Sequence, residues 1–252
     1  MKIQYCSDLH LEFPENQKFL RRNPLTVVGD ILVLAGDVIT FRDIGEGKEF
    51  IDFACDPYSA VYWVPGNHEY YNFDIACKSN PLHEKVRDNF YLVNNQAISY
   101  GGVKLVLTTL WGRIDPEHAW DMQRSVADFS AIVNRGRNFT AHDFTTLHKE
   151  SLSFLKRAFQ EPGNEPVVVV THHVPTLMNY PGIYKNSPLT AAFAAELYDL
   201  IKDSEAACWI YGHHHFNTPE FKIGQTRMLT NQLGYVRHRE HGSFRQGALV
   251  EV

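Results

Sequence analysis

Short runs of apolar and β-branched residues recur along the chain, and most of them end abruptly at polar residues. Five of these runs read KIQYC, DILVLA, AVYWVP, PVVVV and ACWIY. Because they lack the alternation of a half-exposed strand, we predict strands that are covered on both faces. The polar residues that follow them are Ser7-Asp8, Gly36-Asp37, Gly66-Asn67-His68, Thr171-His172 and Gly212-His213. Open α/β sheets bind ligands at the carboxyl ends of their strands, so the pattern predicts one site at one sheet edge.

Two of the segments between these strands have the spacing of amphipathic helices. Residues 143–160 place apolar side chains at roughly helical intervals, and Asp143 near the start is a candidate cap. Residues 189–202 show the same kind of spacing. We therefore predict one helix over each of these two ranges.

Other parts of the chain carry the marks of short strands joined by tight turns. Residues 97–100 and 103–108, joined by Gly101-Gly102, predict a β-hairpin. The tail from about residue 219 to 252 alternates short strand candidates with glycine turns. That alternation predicts a second sheet.

Length and composition fit a globular protein of enzyme size. The chain has 252 residues, of which 44% are hydrophobic and 13% aromatic, and this excludes a disordered chain. We find no repeat, low-complexity tract or linker, and predict a single domain over residues 1–252 with an irregular insertion around 112–142. The net charge of -5 gives no general attraction to a polyanion, so nucleic acid is not favoured as a partner, although a local basic patch or a metal ion would supply one.

The cysteines and the N-terminus indicate the compartment. The four cysteines are scattered without a C-x-x-C pair, which suits a reducing environment. The first residues, MKIQYCSD, lack the apolar region of a signal peptide, and no apolar run approaches membrane-spanning length. We expect a cytoplasmic protein with no membrane partner.

The polar clusters form an ordered series of five sequence elements. The series consists of SDLH (Asp8, His10), AGDV (Asp37), PGNHEY (Asn67, His68, Glu69), THH (His172) and YGHHH (His213, His215). Each element alone is a common loop sequence, since Asp and Asn tolerate turn geometry. Together and in this order they resemble the calcineurin-like metallophosphoesterases, whose pattern is D-x-H, G-D, G-N-H-[D/E], H and G-H-x-H. The resemblance spans residues 5–215.

This resemblance implies both a fold and a metal centre. The implied fold is α/β, the metallophosphoesterase-type four-layer α/β/β/α sandwich with two mixed sheets, with metals at the strand ends. The implied centre holds two divalent or trivalent ions with Asp37 as the bridge between them. The implied ligands are Asp8, His10 and His215 for the first ion, and Asn67, His172 and His213 for the second.

The chemistry of phosphate ester hydrolysis explains these residue types. Two metal ions about 3.5–4 Å apart acidify a shared water to hydroxide and neutralise charge on the phosphoryl group. A nitrogen and oxygen ligand shell without thiolate favours Mn, Fe or Zn without choosing between them. Magnesium is less favoured because it prefers oxygen ligands.

Several histidines and one acid near these ligands have other implied roles. His68 matches the family position that binds no metal and assists the leaving alkoxide. Glu69 either orients a neighbouring histidine or is an acid at a helix N-terminus. His173 and His214, each beside a presumed ligand, are interpreted as neighbours that do not bind metal.

Two loops near the presumed ligands have open roles. Residues 174–188 either form one wall of a substrate cleft, with Tyr180, Tyr184 and Lys185 as candidate contacts, or a surface loop. Tyr235, in the stretch TNQLGY, is interpreted as mainly structural.

The functional prediction is a metal-dependent phosphoesterase. It would hydrolyse a phosphate mono- or diester by a hydroxide held between two metal ions, with His68 and Asp37 as catalytic residues, and a small phosphorylated molecule is favoured over protein. One alternative is a nuclease, and another is a non-catalytic metal-binding scaffold of the same fold. The physiological substrate, the native metals and the oligomeric state stay open at this point.

Overall fold

The fold is built from two β-sheets with helices on their outer faces. The computed structural model of the chain describes residues 1–182, 184, 187 and 189–252. Its strands are β1 (Lys2–Cys6), β2 (Ile31–Ala35), β3 (Ala60–Val64), β4 (Leu82–Arg87), β5 (Phe90–Asn94), β6 (Gln96–Tyr100), β7 (Val103–Thr108), β8 (Val133–Asn134), β9 (Arg137–Asn138), β10 (Val167–Thr171), β11 (Cys208–Tyr211), β12 (Phe221–Ile223), β13 (Thr226–Thr230) and β14 (Leu249–Glu251). Its α-helices are α1 (Pro14–Arg22), α2 (Lys48–Cys55), α3 (Ala119–Ser125), α4 (Asp128–Ala131), α5 (Ala141–Gln160), α6 (Thr190–Phe193) and α7 (Tyr198–Ser204).

Both large sheets are mixed. The first sheet has the strand order β14-β1-β2-β3-β5-β4, and the second has the order β12-β13-β11-β10-β7-β6. In each sheet the four inner strands run parallel, and the two edge strands pair with them antiparallel. The short hairpin of β8 and β9 lies apart from both sheets.

The burial of β2 explains why its sequence is apolar throughout. Ile31, Val33 and Ala35 point into the core between the two sheets. Leu32 and Leu34 point the other way, into a core shared with α1 and α2. A third core joins the outer face of the second sheet to α5 and α7. The molecule is therefore the predicted four-layer α/β/β/α sandwich, and strands covered on both faces need no alternation.

The predicted hairpin forms at the predicted place. Strands β6 and β7 pair antiparallel from Gln96↔Leu107 to Tyr100↔Val103. Gly101 and Gly102 both adopt positive φ, 56° and 80°, as a two-residue turn of this kind requires. The tail behaves differently from the prediction: β12 and β13 join the second sheet, but β14 crosses to pair with β1 in the first.

The helix predicted over residues 189–202 is wrong as a single element. The chain forms the short helices α6 and α7, with an extended segment between them. Ala194 is extended and makes a parallel bridge with Val174, and the Ala195 amide donates to the Val174 carbonyl at 2.9 Å. The helical spacing of apolar residues is real, but pairing with a distant segment overrides it.

The long helix α5 begins earlier than predicted, and its cap is not Asp143. Thr140 is the N-cap, its side chain accepts from the Asp143 amide, and the Asp143 carboxylate accepts from the Thr140 amide. Arg137 donates two hydrogen bonds of 2.7 Å to the same carboxylate. Burial opposes ionisation, but Arg137 and Thr140 outweigh it and lower the pKa of Asp143 to about 2.

Asp143→Ala is expected to lower the free energy of unfolding by about 1–2 kcal/mol at pH 7, since it removes a capping box and a partly screened ion pair. Folding lowers the pKa of Asp143 from 3.8 to about 2. The stabilisation by its carboxylate is therefore complete above pH 3.8 and is lost as the pH falls through about 2. Urea unfolding of the wild type and Asp143→Ala, at several pH values between 7 and 2, measures the free energy of unfolding. Glu150→Ala, exposed on the same helix, is the control and should change the free energy little.

Among the described residues, no helix is both long enough and apolar enough to cross a membrane.

Candidate metal centre

The predicted polar clusters meet where strands of both sheets end. Asp8, Asp37 and Asn67 follow β1, β2 and β3 of the first sheet. His172 and His213 follow β10 and β11 of the second sheet. The predicted position at one sheet edge is therefore incomplete, because the site lies across the adjoining ends of two sheets.

Several of these residues have an unusual backbone. Positive φ values between 47° and 81° occur at Asp8, His10, Asp37, His213 and His215. Residues other than glycine rarely adopt this region, although Asp, Asn and His do so more often than most. Such conformations cluster at functional sites, where they direct side chains that a regular strand would direct elsewhere.

One group of ligand atoms forms around Asp8, His10, Asp37 and His215. Each of these residues offers one nitrogen or oxygen, and all four atoms lie within 4.8 Å of one another. His10 Nε2 is 3.0 Å from His215 Nε2 and 3.8 Å from Asp37 Oδ2. His215 Nε2 is 3.4 Å from Asp8 Oδ1. This group could hold one metal ion.

A second group forms around Asp37, His172 and His213, again with ligand atoms within 4.8 Å. His172 Nε2 lies 3.0 Å from His213 Nδ1, 3.4 Å from Asp37 Oδ1 and 3.2 Å from Asn67 Oδ1. Asp37 thus belongs to both groups, with Oδ2 toward the first and Oδ1 toward the second. The structure brings together all seven predicted ligands, with the predicted bridge between the two sets.

The donor set fits metal ions. Asp8 and Asp37 are fully buried, and within the described ranges neither forms an ion pair with Lys or Arg. A buried carboxylate needs a compensating positive charge. Imidazole nitrogens that face each other at 3.0 Å likewise need a proton or a cation between them. Nitrogen and oxygen donors without sulfur suit Mn, Fe or Zn.

The carboxylates already draw positive charge to the centre. Burial favours neutral His215, but the Asp8 and Glu240 carboxylates outweigh burial and raise the pKa of His215 to about 10. Burial acts in the same way on His172, where the Asp37 and Asp8 carboxylates raise the pKa to about 9. Burial instead lowers the pKa of His10 and His213, so the carboxylates attract positive charge most strongly at His172 and His215.

Three of the candidate ligand histidines are oriented through Nδ1. His10 Nδ1 is 3.0 Å from Glu12 Oε1, and His215 Nδ1 is 2.7 Å from Glu240 Oε2. His172 Nδ1 is 2.9 Å from the Ala35 carbonyl oxygen. An acceptor at Nδ1 holds the proton there and leaves Nε2 free to bind a metal. His213 differs, since its Nδ1 faces the centre.

Glu12 also contacts His68, the predicted catalytic residue that binds no metal. The same atom, Glu12 Oε1, is 3.0 Å from His68 Nδ1. The opposite ring nitrogen, His68 Nε2, is 3.2 Å from the Tyr235 hydroxyl, and the ring stacks on Tyr71 at 4.1 Å. Glu12 thus holds a candidate ligand and the candidate acid with one oxygen. Neither Glu12 nor this contact of Tyr235 is predicted from the sequence, where Tyr235 was interpreted as mainly structural.

Glu12→Ala is expected to weaken metal binding about 10- to 100-fold, because outer partners of ligand histidines contribute to metal affinity by this amount. Isothermal titration calorimetry of the metal-free protein with Mn²⁺ measures this affinity. Glu15→Ala, an exposed acid three residues later, is the control and should bind metal as the wild type does. Unchanged affinity in Glu12→Ala would show that His10 needs no partner at Nδ1.

Asn67 is oriented by an acid from the predicted insertion. Asn67 Nδ2 donates to Asp128 Oδ1 at 2.8 Å, and the Tyr71 hydroxyl donates to the same oxygen at 2.8 Å. The amide nitrogen is thereby turned away, and Asn67 Oδ1 faces the centre. Asp128 carries no local signal in the sequence, because its role depends on packing across the chain.

Glu69 lies in the first turn of a short 3-10 helix over His68–Tyr70, as one of the two sequence interpretations expected, and it has a further role that neither described. Its carboxylate accepts hydrogen bonds from the backbone amides of Asp37, Val38 and Gly66 and from the Trp63 indole, at 2.6–3.0 Å. It makes no hydrogen bond to any histidine of the described chain. Glu69 therefore ties the turn after β2 to the turn after β3, and so holds the two predicted ligands Asp37 and Asn67 in fixed relation.

The glycines of the pattern make room for the ligands. A Cβ atom at Gly66 would collide with the Asp37 carboxylate, and one at Gly212 would collide with the side chains of Asp8 and Ser7. Close approach of backbone to side chain accounts for glycine before both Asn67 and His213.

The two neighbouring histidines lie outside both ligand groups. His173 is fully buried, with Nδ1 3.3 Å from the Thr109 carbonyl oxygen, and its ring packs on His213 at 4.1 Å. His214 Nδ1 hydrogen-bonds the Gln232 side chain, and its ring stacks on Tyr180. Both positions agree with the interpretation that they are neighbours of the site.

A cleft of about 610 Å³ opens onto the centre. Its described lining consists of Asp37, Asn67, His68, Tyr71, Ser125, Val126, Ala127, Asp128, Tyr180, Tyr184, Ser187, Leu189, Thr190, Ala192, Phe193, His213, His214, His215, Tyr235 and Glu240. Of the loop predicted as a cleft wall, Tyr180 and Tyr184 line it, and Lys185 lies outside the described residues.

Comparison with known proteins points to one family. The model of the calcineurin-like phosphoesterases matches residues 1–217. An uncharacterised protein of Acanthamoeba polyphaga mimivirus is 27% identical over 277 aligned positions, which cover 99% of this chain and 96% of that protein. The phosphopantetheinyl hydrolase of Mycobacterium tuberculosis has a similar fold, with a TM-score of 0.72 and 18% identity over 99% of this chain and 95% of that one.

Proposed function

The chain belongs to the calcineurin-like phosphoesterase family and is a metal-dependent phosphoesterase, and we propose that it works with two ions on either side of Asp37 and with His68 as leaving-group acid. The observation that carries this proposal is the sharing of Asp37 between the two ligand groups. A single buried carboxylate with one oxygen toward each group is the ligand that keeps two cations close together.

The residues of the chain divide the chemistry among them. When bound, a pair of metal ions supplies acidified water and neutralises charge on the phosphoryl group. Asp8, Asn67 and the candidate ligand histidines would hold the ions, and their outer partners orient these side chains. Glu69 keeps the two turns that carry Asp37 and Asn67 from moving apart.

His68 is suited to assist the departing alkoxide. It lines the cleft, and its Nδ1 is held by Glu12, so its Nε2 is the atom available to a substrate oxygen. The Tyr235 hydroxyl marks that position, 3.2 Å from Nε2. A proton delivered from Nε2 would neutralise the alkoxide as the phosphorus–oxygen bond breaks. His68 groups with His10 and Glu12 but belongs to neither of the two ligand groups that share Asp37, so this role does not compete with metal binding in those two groups.

The test begins with metal-free protein. Reconstitution with Mn, Fe or Zn is expected to give about two ions per chain and to restore hydrolysis of bis-p-nitrophenyl phosphate, while the metal-free protein stays inactive. Reconstituted protein with no turnover on any mono- or diester would contradict the proposal and favour a scaffold. Cleavage of plasmid or single-stranded DNA at low enzyme concentration would favour a nuclease instead.

A further inference from the structure

The cleft beside the metal centre has predominantly apolar and aromatic walls. Its described apolar and aromatic lining residues include Tyr71, Val126, Ala127, Tyr180 and Phe193. Phe193 stacks on His213 at 4.9 Å, so the apolar surface reaches the ligands themselves. A volume of about 610 Å³ with such a lining is suited to a small organic group.

Apart from its histidines, the described cleft lining carries charge only on acidic side chains. The described lining contains no Lys or Arg, although the chain has 24 of them. The carboxyl groups in or directly behind the cleft are Asp8, Glu12, Asp37, Asp128 and Glu240. Two divalent ions would bring four positive charges to a centre surrounded by these five carboxyl groups. Beyond the histidines, of which His68 is proposed to serve the leaving group, the described lining offers no cationic side chain for a second negative charge on a substrate.

We propose, on the basis of the function proposed above, that the substrate is a phosphodiester with a single negative charge and an apolar or aromatic ester group. A phosphate monoester at neutral pH carries nearly two charges, and a nucleic acid or polyphosphate carries more. Each additional charge would lie near the carboxyl groups of a partly desolvated cleft whose described lining offers it no Lys or Arg, which is unfavourable. An uncharged ester group gains instead from burial against the apolar walls.

The same charge distribution determines where the reaction stops. Hydrolysis breaks one ester bond, places hydroxyl on phosphorus and returns a proton to the leaving oxygen, so the products are an alcohol and a monoester. That monoester has gained a second ionisable oxygen, and it meets the acidic cleft as a dianion. The monoester product should therefore leave without a second hydrolysis.

The experiment uses the metal-reconstituted full chain and three probes with the same p-nitrophenyl leaving group. Bis-p-nitrophenyl phosphate is an aromatic monoanion, thymidine 5′-p-nitrophenyl phosphate a polar monoanion, and p-nitrophenyl phosphate a dianion. We expect kcat/KM to fall in that order, with about tenfold or more between the first and the last. We also expect each bis-p-nitrophenyl phosphate to release one nitrophenolate, with no free phosphate.

Matched variants test whether charge causes the preference. Ala127→Arg adds a cation at an exposed position of the cleft lining. It should lower the ratio of kcat/KM for the diester to kcat/KM for the monoester about tenfold. Ser130→Arg adds the same charge three residues later, in α4, at an exposed position outside the described lining, and should leave the ratio unchanged. Lys185→Ala should also leave it unchanged.

The outcomes separate this inference from the proposed function. Equal or faster hydrolysis of p-nitrophenyl phosphate, release of free phosphate, or a ratio that depends on Lys185 would overturn the substrate class while leaving a phosphoesterase. No hydrolysis of any of the three probes would overturn the proposed function itself.

Discussion

Asp37→Ala is expected to abolish the binding of both metal ions and to lower kcat/KM by about 1,000-fold or more. Asp37 places one oxygen in each ligand group, so its removal affects both sites at once. Metal ions supply several kcal/mol of transition-state charge stabilisation, and each factor of ten corresponds to about 1.4 kcal/mol. Loss of both ions therefore leaves little of the catalytic power.

Metal content and kcat/KM, measured on the same variants, test this prediction. His213→Ala alters only the second group and should retain the ion of the first, whereas Asp37→Ala should retain neither. In the wild type the His68 backbone amide donates to Asp37 Oδ1 at 2.9 Å. Asp37→Asn keeps an oxygen that can accept this hydrogen bond, so it is the control that separates loss of metal from loss of fold. Two ions per chain in Asp37→Ala would rule out the bridge.

His68→Ala is expected to lower kcat by about 100- to 10,000-fold on esters with poor leaving groups, the range typical of general acid catalysis. Metal content should stay at the wild-type value, since the side chain of His68 belongs to neither of the two ligand groups that share Asp37. The loss should be much smaller on p-nitrophenyl esters, whose leaving group departs without a proton.

A series of esters with leaving groups of increasing pKa measures this dependence. In the wild type the rate should vary little along the series, and in His68→Ala it should fall steeply. His83→Ala, an exposed histidine on β4, controls for loss of a histidine and should match the wild type. Full activity of His68→Ala on alkyl esters would disprove the role.

The candidate ligands could be predicted from the sequence because their signals are local. Asp37 directly follows a buried strand, and the type of residue needed there is set by chemistry. The partners that orient the ligands were not predictable in this way. Asp128 and Glu240 reach the centre from segments distant in the sequence, and nothing beside them marks a ligand.

The errors in secondary structure have the same cause. The apolar spacing over residues 189–202 is helical, and the helix is interrupted where Ala194 and its neighbours pair with Val174 and Pro175. The N-cap of α5 was misplaced by three residues, because Thr140 and Asp143 cap each other. A local pattern shows which residues favour an element, whereas the limits of the element depend on contacts made elsewhere.

The left-handed backbone at the candidate ligands has a consequence for protein engineering. Transplanting the side chains of Asp8, Asp37 and His213 onto another scaffold would not reproduce the centre, because ordinary strand ends aim them elsewhere. The turns themselves would have to be grafted, together with the glycines that let them close. Directed evolution of a new metal preference is therefore expected to succeed more readily at the outer partners than at the ligand positions.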